Sequence, residues 1–223
     1  MSPPTPKPTH GLFYALQFLI ERVFLQVFIM NLKGDTRRSV SSPAELLIRV
    51  DRNGDELGTM SKADAHRSPG VLHRAFSIFL FDRDNHVLLQ QRAKNKPLWP
   101  EYWTNTCCSH PRYGEDFATA TKRRLLEEMG VYTPLHYLYT FEYQADYLDL
   151  GSEHEHCAVY AGVIDQHTPI NPHPEEVMAW QWLEIDTVDD RVTQQPQTLT
   201  PWFLLEWKTI RARHWNTLEA LLS

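Results

Sequence analysis

Apolar and polar positions in the first half of the chain predict strands and tight turns. Residues 72–82 form a long run rich in aromatic and aliphatic side chains, and residues 87–92 continue it after a turn signal at Asp84–Asn85. Residues 44–51 are a further strand candidate, and the turn ending at Gly54 leads into a strand near Leu57. The first half therefore predicts two hairpins.

The second half predicts helices interleaved with strands. Residues 115–129 contain no Gly or Pro and are followed by Gly130, which is typical of a helix and its C-terminal cap. Residues 202–221 predict a final helix that Pro201 introduces. Further segments are predicted as strands (135–147, 154–163 and 178–183), a loop (93–102) and an irregular stretch or short helix (61–69). This order favours an α+β class, with a mixed or antiparallel sheet flanked by helices.

The N-terminal residues differ in composition from the rest. Residues 1–10 are rich in proline and predict disorder, whereas residues 11–30 are strongly apolar. The central pair Glu21–Arg22 disfavours a membrane span and interrupts the apolar region that a signal peptide needs. We expect residues 1–42 to be an extension, disordered and then helical, or partly a product of too early an assigned start, with Met30 as a candidate start. The domain is expected at residues 43–223.

Composition limits the classes of partner. The chain has 223 residues, enough for one core, and a formal net charge of −6, which disfavours nucleic acid or anionic membrane as a general partner. Any small anion needs a local cluster of basic residues. Three cysteines without a CxxC pair predict a reducing, cytoplasmic setting with a free thiol. We expect a monomer or a weak dimer.

A nine-residue segment, residues 103–111, concentrates reactive side chains. In an extended chain, residues two apart share a face, so Cys108 and His110 point to one side and Cys107 to the other. Taken alone, a buried cysteine pair beside a structural histidine is the favoured interpretation, because free cysteine is among the most buried residue types. The remaining motifs favour a reactive site instead.

Separate segments offer ligands for a metal ion. Two carboxylates two residues apart share a strand face, and three histidines can converge with them; the set is His66, His73, His110, Glu153 and Glu155. Three nitrogens and two oxygens suit a five- or six-coordinate Mn²⁺, Mg²⁺ or Zn²⁺. Five further histidines are expected to be structural: His136, His154, His156, His167 and His173.

The helix at residues 115–129 adds a second motif. Its charges predict a salt-bridged surface helix in the usual case. The spacing of Glu115, Arg123, Glu127–Glu128 and Gly130 nevertheless resembles the second part of a Nudix box, whose helix presents carboxylates to magnesium bound on a diphosphate. Ser109 stands where that box begins with Gly, and Arg124 stands where its essential Glu would be. The resemblance thus implies the fold and disfavours hydrolysis.

The chain from residue 43 to the C-terminus resembles the type 1 isopentenyl-diphosphate Δ-isomerases, a Nudix-fold family of isoprenoid biosynthesis. Five stretches in the same order carry the resemblance: residues 72–77, 88–92, 104–111, 151–155 and 200–203. The resemblance implies Cys108 as the catalytic thiol with Glu155 and Tyr143 opposite, and Trp202 over the reacting carbons. It implies a metal on the His66, His73, His110, Glu153 and Glu155 set. It also implies a diphosphate held by Lys62, Arg92, Lys96 and Arg124, with Glu128 on its Mg²⁺.

Other classes of function remain open from the sequence. A Nudix hydrolase of nucleoside diphosphate derivatives is the nearest alternative, although hydrolysis needs neither Cys108 nor Trp202. A non-catalytic diphosphate-binding protein on the same fold is another. A structural zinc protein is disfavoured, because adjacent cysteines rarely chelate one tetrahedral ion.

Overall fold

A computed structural model describes residues 40–223 of the chain. The predicted disordered and helical extension and the candidate start at Met30 lie outside the described residues. Residues 40–42, which were expected to belong to the extension, contact the domain: Arg124 donates to the carbonyl of Val40, and Lys62 Nζ donates to Ser41 Oγ at 2.8 Å. No helix within residues 40–223 combines the length and apolar character that crossing a bilayer needs.

The strands form one mixed sheet, as the sequence predicts. They are β1 (Leu46–Val50), β2 (Glu56–Ser61), β3 (His73–Phe81), β4 (His86–Arg92), β5 (Trp103–Thr104), β6 (Cys107–Ser109), β7 (Leu135–Tyr147), β8 (Gly151–Val163) and β9 (Val177–Glu184). β3 pairs in parallel with β8 and antiparallel with β1, β4 and β6. β7 pairs with β8, and β9 pairs with β4. β3 is therefore the strand around which the site-bearing strands are arranged.

Helices cover both faces of this sheet. They are α1 (Lys62–Ala65), α2 (Phe117–Met129), α3 (Ile185–Gln194), α4 (Pro201–Thr209) and α5 (Trp215–Leu222), with a π-helical turn at Ile210–His214 between the last two. The predicted final helix is thus two α-helices joined by that turn. α2 begins two residues later than predicted, because Asp116 caps it: Oδ1 accepts the backbone N–H of Thr119 at 2.7 Å.

Alternation along β3 separates two cores. Phe76, Ile78 and Leu80 pack with α2 on one face. Phe79 and Phe81 pack with α4 on the other. Each fully buried side chain of this size contributes about 1.5–3 kcal/mol to the free energy of unfolding. The face that packs against α4 also carries His73 and Ser77, so this face holds the site.

Candidate active site

The five predicted metal ligands converge on the α4 face of the sheet. One ligand atom from each of His66, His73, His110, Glu153 and Glu155 lies within 4.8 Å of the others. His66 follows α1, His73 begins β3, His110 follows β6, and both glutamates lie on β8. His73 is paired with Glu155 across β3 and β8. The sheet register therefore brings together residues that are up to 89 positions apart.

Backbone carbonyls fix the tautomers of two of these histidines. The Nδ1 atoms of His66 and His73 lie 2.7 Å from the carbonyls of Lys62 and Val71. A carbonyl only accepts, so each Nδ1 carries the proton and each Nε2 presents a lone pair. Neither Nε2 has a hydrogen-bond partner, although the Nε2 of His66 lies 2.8 Å from Glu153 Oε2. Lone pairs facing a carboxylate fit a shared divalent cation.

Burial and neighbouring charges shift the pKa values of His73, His110 and Glu153 toward the forms that bind a metal ion. Burial and the neighbouring His66 lower the pKa of His73 to about 4. Burial also lowers the pKa of His110 well below its usual value, with His73 adding to the effect. Burial acts to raise the pKa of Glu153, but His66 outweighs it and the pKa falls to about 2. These groups are neutral imidazoles and a carboxylate at neutral pH, as metal binding requires.

Glu155 differs from Glu153 in its partners. Tyr143, opposite Glu155 on β7, donates its hydroxyl to Glu155 Oε2 at 2.8 Å, and His110 Nε2 lies 2.9 Å from Oε1. Burial and the charge of Glu153 raise the pKa of Glu155 well above its usual value. A carboxyl group with a raised pKa beside a phenol can exchange a proton with a bound molecule.

The two adjacent cysteines point to opposite faces, as the sequence predicts. Cys107 is fully buried in the core against α2. Cys108 is paired with Ser77 on the site face, and its thiol donates to Asn105 Oδ1 at 2.7 Å. Its sulfur lies 3.1 Å from the indole Nε1 of Trp202, which also donates to Thr104 Oγ1 at 2.9 Å. Burial raises the pKa of Cys108, so the resting group is a thiol.

Trp202 lies next to both the Cys108 thiol and the ring of Tyr143. Its ring is 3% exposed, and its centroid lies 6.2 Å from that of Tyr143. The guanidinium carbon of Arg92 lies 5.2 Å from the indole centroid, within the range of a cation–π contact. Arg92 itself is held by the carbonyls of Trp99 and Leu98 at 3.0 and 2.9 Å.

The other predicted cations meet around Glu176, which the sequence reasoning missed. Lys96 forms an ion pair with Glu176 Oε2, and Arg124 Nη2 lies 3.4 Å from Oε1. Burial and the charges of Lys96 and Arg124 lower the pKa of Lys62 to about 8. Arg124 also donates from Nε to Glu128 at 3.0 Å, so Glu128 is paired with the arginine one turn before it. The cation cluster is Lys62, Lys96 and Arg124, and Arg92 lies on the indole.

Several neighbours of the candidate site carried little signal in the sequence. Thr104 and Asn105 are fully buried beside the thiol, and only their place next to Cys108 could have indicated them. Glu176 is one of two adjacent glutamates, and nothing in the pattern separates it from Glu175. None of the five histidines expected to be structural (His136, His154, His156, His167 and His173) belongs to the metal cluster.

Comparison with known proteins agrees with this geometry. The NUDIX domain model matches residues 71–203. Isopentenyl-diphosphate Delta-isomerase 1 of Photorhabdus laumondii is 40% identical over 176 residues, covering 78% of this chain and 99% of that protein. Isopentenyl-diphosphate Delta-isomerase of Serratia proteamaculans is 41% identical over 179 residues, covering 79% and 98%.

Solved structures support the fold alone. DR0079 from Deinococcus radiodurans superposes with a TM-score of 0.55 at 20% identity, over 68% of this chain and 90% of that one. A MutT protein from Methanosarcina mazei gives a TM-score of 0.50 at 12% identity, over 64% and 96%. The family model, the extent of the 40% identity and the mixed sheet with its flanking helices lead to one conclusion: the chain belongs to the isopentenyl-diphosphate Delta-isomerase family and has the Nudix fold.

Proposed function

We propose that this protein is an isomerase that interconverts isopentenyl diphosphate and dimethylallyl diphosphate in isoprenoid biosynthesis. The observation that carries the proposal is the contact between the Cys108 thiol and the Trp202 indole on the sheet face that also bears Glu155. Hydrolysis requires neither a buried thiol nor an indole beside it, and Arg124 occupies the position of the Nudix glutamate.

The reaction adds a proton at one carbon and removes one from the next carbon but one. Protonation of the alkene creates a tertiary carbocation, which water would capture, so the site must exclude water. Trp202 is almost fully buried and presents a ring that stabilises a cation without attacking it, by about 2 kcal/mol or more when desolvated. We assign the proton exchange to Cys108 on one side and to Glu155 with Tyr143 on the other. Because the reaction is reversible, donor and acceptor exchange roles between the two directions.

The charged residues hold the unreactive end of the substrate. We assign the diphosphate to Lys62, Lys96, Arg124 and Arg92, with Glu128 on the Mg²⁺ that accompanies it. Binding energy from the diphosphate then orients the short hydrocarbon against Trp202. Lys96 is ion-paired with Glu176 in the present structure, so it must exchange that partner for a phosphate oxygen.

A divalent ion, Mn²⁺, Mg²⁺ or Zn²⁺, is assigned to His66, His73, His110, Glu153 and Glu155. When bound, it supplies positive charge that sets the acidity of nearby groups. His66 and His73 present lone pairs to it because their Nδ1 protons are bound by backbone carbonyls. Tyr143 holds the second oxygen of Glu155, which keeps the carboxyl group oriented toward the site.

The setting of the protein is inferred from its thiols. Cys107, Cys108 and Cys157 are all free, which suits a reducing compartment, and we propose the cytoplasm. We further propose a monomer or weak dimer, to be checked by light scattering across a range of protein concentrations.

Incubation with isopentenyl diphosphate and Mg²⁺ in D₂O tests the assigned reaction. We expect dimethylallyl diphosphate that carries deuterium, because the added proton exchanges with solvent. Release of phosphate with unchanged hydrocarbon would show a hydrolase instead. Binding of the substrate without any chemical change would show a diphosphate-binding protein.

A further inference from the structure

Glu206 is a buried acid on the same helix face as Trp202. It lies one turn after Trp202 on α4 and is 0% exposed. Its Oε2 atom has no hydrogen-bond partner. A buried carboxyl group is costly unless it is neutral or well paired, and the roles assigned above leave this one unused.

A row of side chains connects Glu206 to the thiol. Cys157 Sγ lies 3.7 Å from Glu206 Oε1 and 3.5 Å from Ser77 Oγ. Ser77 Oγ lies 3.7 Å from Cys108 Sγ, so Cys157 and Ser77 together link the acid to the thiol; Ser77 also acts to lower the pKa of Glu206. Ser77 thus lies between the acid and the thiol in a layer that is otherwise largely apolar.

We propose that Glu206 is a positioning residue for Cys108, whose neutral carboxyl group directs the hydroxyl of Ser77 toward the sulfur. This rests on the proposed isomerase function. A hydroxyl group has one proton to donate. A neutral carboxyl group donates to Ser77 and leaves the Ser77 proton for Cys108. An ionised carboxylate accepts that proton instead, and Cys108 loses the donor.

The surroundings of Glu206 favour the neutral form. Burial raises the pKa of Glu206 to about 8, although Ser77 and Cys157 act to lower it. The titratable groups around it come from three strands: Cys108 on β6, Tyr139 on β7, and Glu155 and Cys157 on β8. Tyr139 donates its hydroxyl to the backbone carbonyl of Glu206 at 3.2 Å. Within residues 40–223, no Lys, Arg or His forms an ion pair with this carboxyl group.

The test compares Glu206→Gln and Glu206→Leu, with Leu205→Gln as a control on the exposed side of the same helix. We expect the wild-type kcat to fall as the pH rises through about 8. Gln donates an N–H at every pH, so Glu206→Gln should keep most of the kcat at pH 7 and lose this alkaline fall. Glu206→Leu should lower kcat roughly tenfold, as expected for one hydrogen bond, with little change in KM. Leu205→Gln should follow the wild type.

Two features make the test specific. Measurements at saturating substrate separate Glu206 from Lys62, whose pKa of about 8 affects binding and hence KM. Ser77→Ala should lower kcat by about as much as Glu206→Leu does. The double variant Ser77→Ala/Glu206→Leu should lose no more kcat than either single variant, because both act through one hydrogen bond. If Glu206→Leu fails to fold, the pH profile of Glu206→Gln and the kcat of Ser77→Ala still test the inference.

Three results would overturn the inference: an alkaline fall retained in Glu206→Gln, a kcat in Ser77→Ala equal to the wild type, or additive losses in the double variant. If the wild type isomerises and one of these results appears, this inference alone fails. If the wild type forms no dimethylallyl diphosphate, the proposed function fails as well.

Discussion

Cys107 and Cys108 show how position on the sheet decides the use of identical side chains. Cys107 is fully enclosed by the α2 core, where burial raises its pKa well above the usual value. Cys108 lies against Asn105 and Trp202 on the opposite face. The strand period of two produces this division and was predictable from the sequence, whereas the assignment of Cys108 as the catalytic thiol came from the family resemblance.

Substitution of each cysteine separates packing from catalysis. Cys108→Ala should abolish turnover and leave the melting temperature nearly unchanged. Cys107→Ala should keep most of the turnover and lower the free energy of unfolding by about 1–2 kcal/mol through lost packing. Turnover assays and denaturant unfolding check both variants, and equal loss of turnover in the two would contradict the assignment.

Residues whose role depends on distant partners could not be predicted. For the candidate metal ligands, the strand period predicts that Glu153 and Glu155 share a face, whereas the choice of histidines came from the family resemblance. Glu206 and Glu176 are ordinary glutamates in the sequence. Their importance comes from burial beside Ser77 and beside Lys96, which are 129 and 80 positions away. Such contacts arise only from the tertiary arrangement.

At the scale of elements, the ends of α2 are set by local interactions. Asp116 caps the start, and Gly130 adopts the left-handed conformation at φ +69° after the last turn. Loop backbone N–H groups of Asn171 and His173 bond the carbonyls of Met129 and Glu128 at 3.0 and 2.8 Å. The end of the helix was predictable from Gly130, whereas its contact with a loop more than 40 residues later was not.

Alanine at Gly130 tests this arrangement. A Cβ there would lie 2.9 Å from the carbonyl oxygen of Asn171 and would also strain the left-handed backbone. We expect a loss of more than about 1 kcal/mol in the free energy of unfolding. Gly114→Ala is the control, because Gly114 has a similar φ of +83° with no atom within 4 Å of the added Cβ. Equal losses in denaturant unfolding would show that backbone strain alone matters.

Short or uncapped elements escaped prediction. β5 and β6 lie in residues 103–111, which were expected to be extended, but with two and three residues they are too short for a periodic signal that marks strands. α3 was missed because Glu184, the residue before it, makes no side-chain capping bond and belongs to β9. β8 begins at Gly151, three residues before the predicted start, since pairing with β7 extends it to the turn. Strands with long apolar runs, such as β3, were predicted within one residue.

Across the whole molecule, the five-ligand cluster connects four separated parts of the chain. It brings the end of α1, the start of β3, the end of β6 and the start of β8 within a few ångströms. A bound ion therefore acts on stability as a cross-link between them, and its free energy of binding adds to that of folding.

Metal removal should measure this effect directly. We expect chelation to lower the melting temperature and Mn²⁺ to restore it. At a hundredfold excess over Kd, the bound ion should add about 2.7 kcal/mol to the free energy of unfolding. His73→Ala should lose the response to Mn²⁺, whereas His154→Ala should keep it, because His154 lies between the two ligand glutamates but is paired with Glu142. Calorimetry with and without Mn²⁺ checks this, and an unchanged response in His73→Ala would place the ion elsewhere.

The division of β3 into two faces has a practical consequence for engineering. Phe76, Ile78 and Leu80 pack with the apolar α2 residues Ala120, Leu125 and Met129, to which we assign no chemistry. A library that repacks only these positions and their α2 partners can raise thermal tolerance while leaving turnover and substrate preference intact. Conversely, when random mutants are selected for a changed preference among diphosphate substrates, substitutions should accumulate at Ala75, Phe79 and their neighbours on α4.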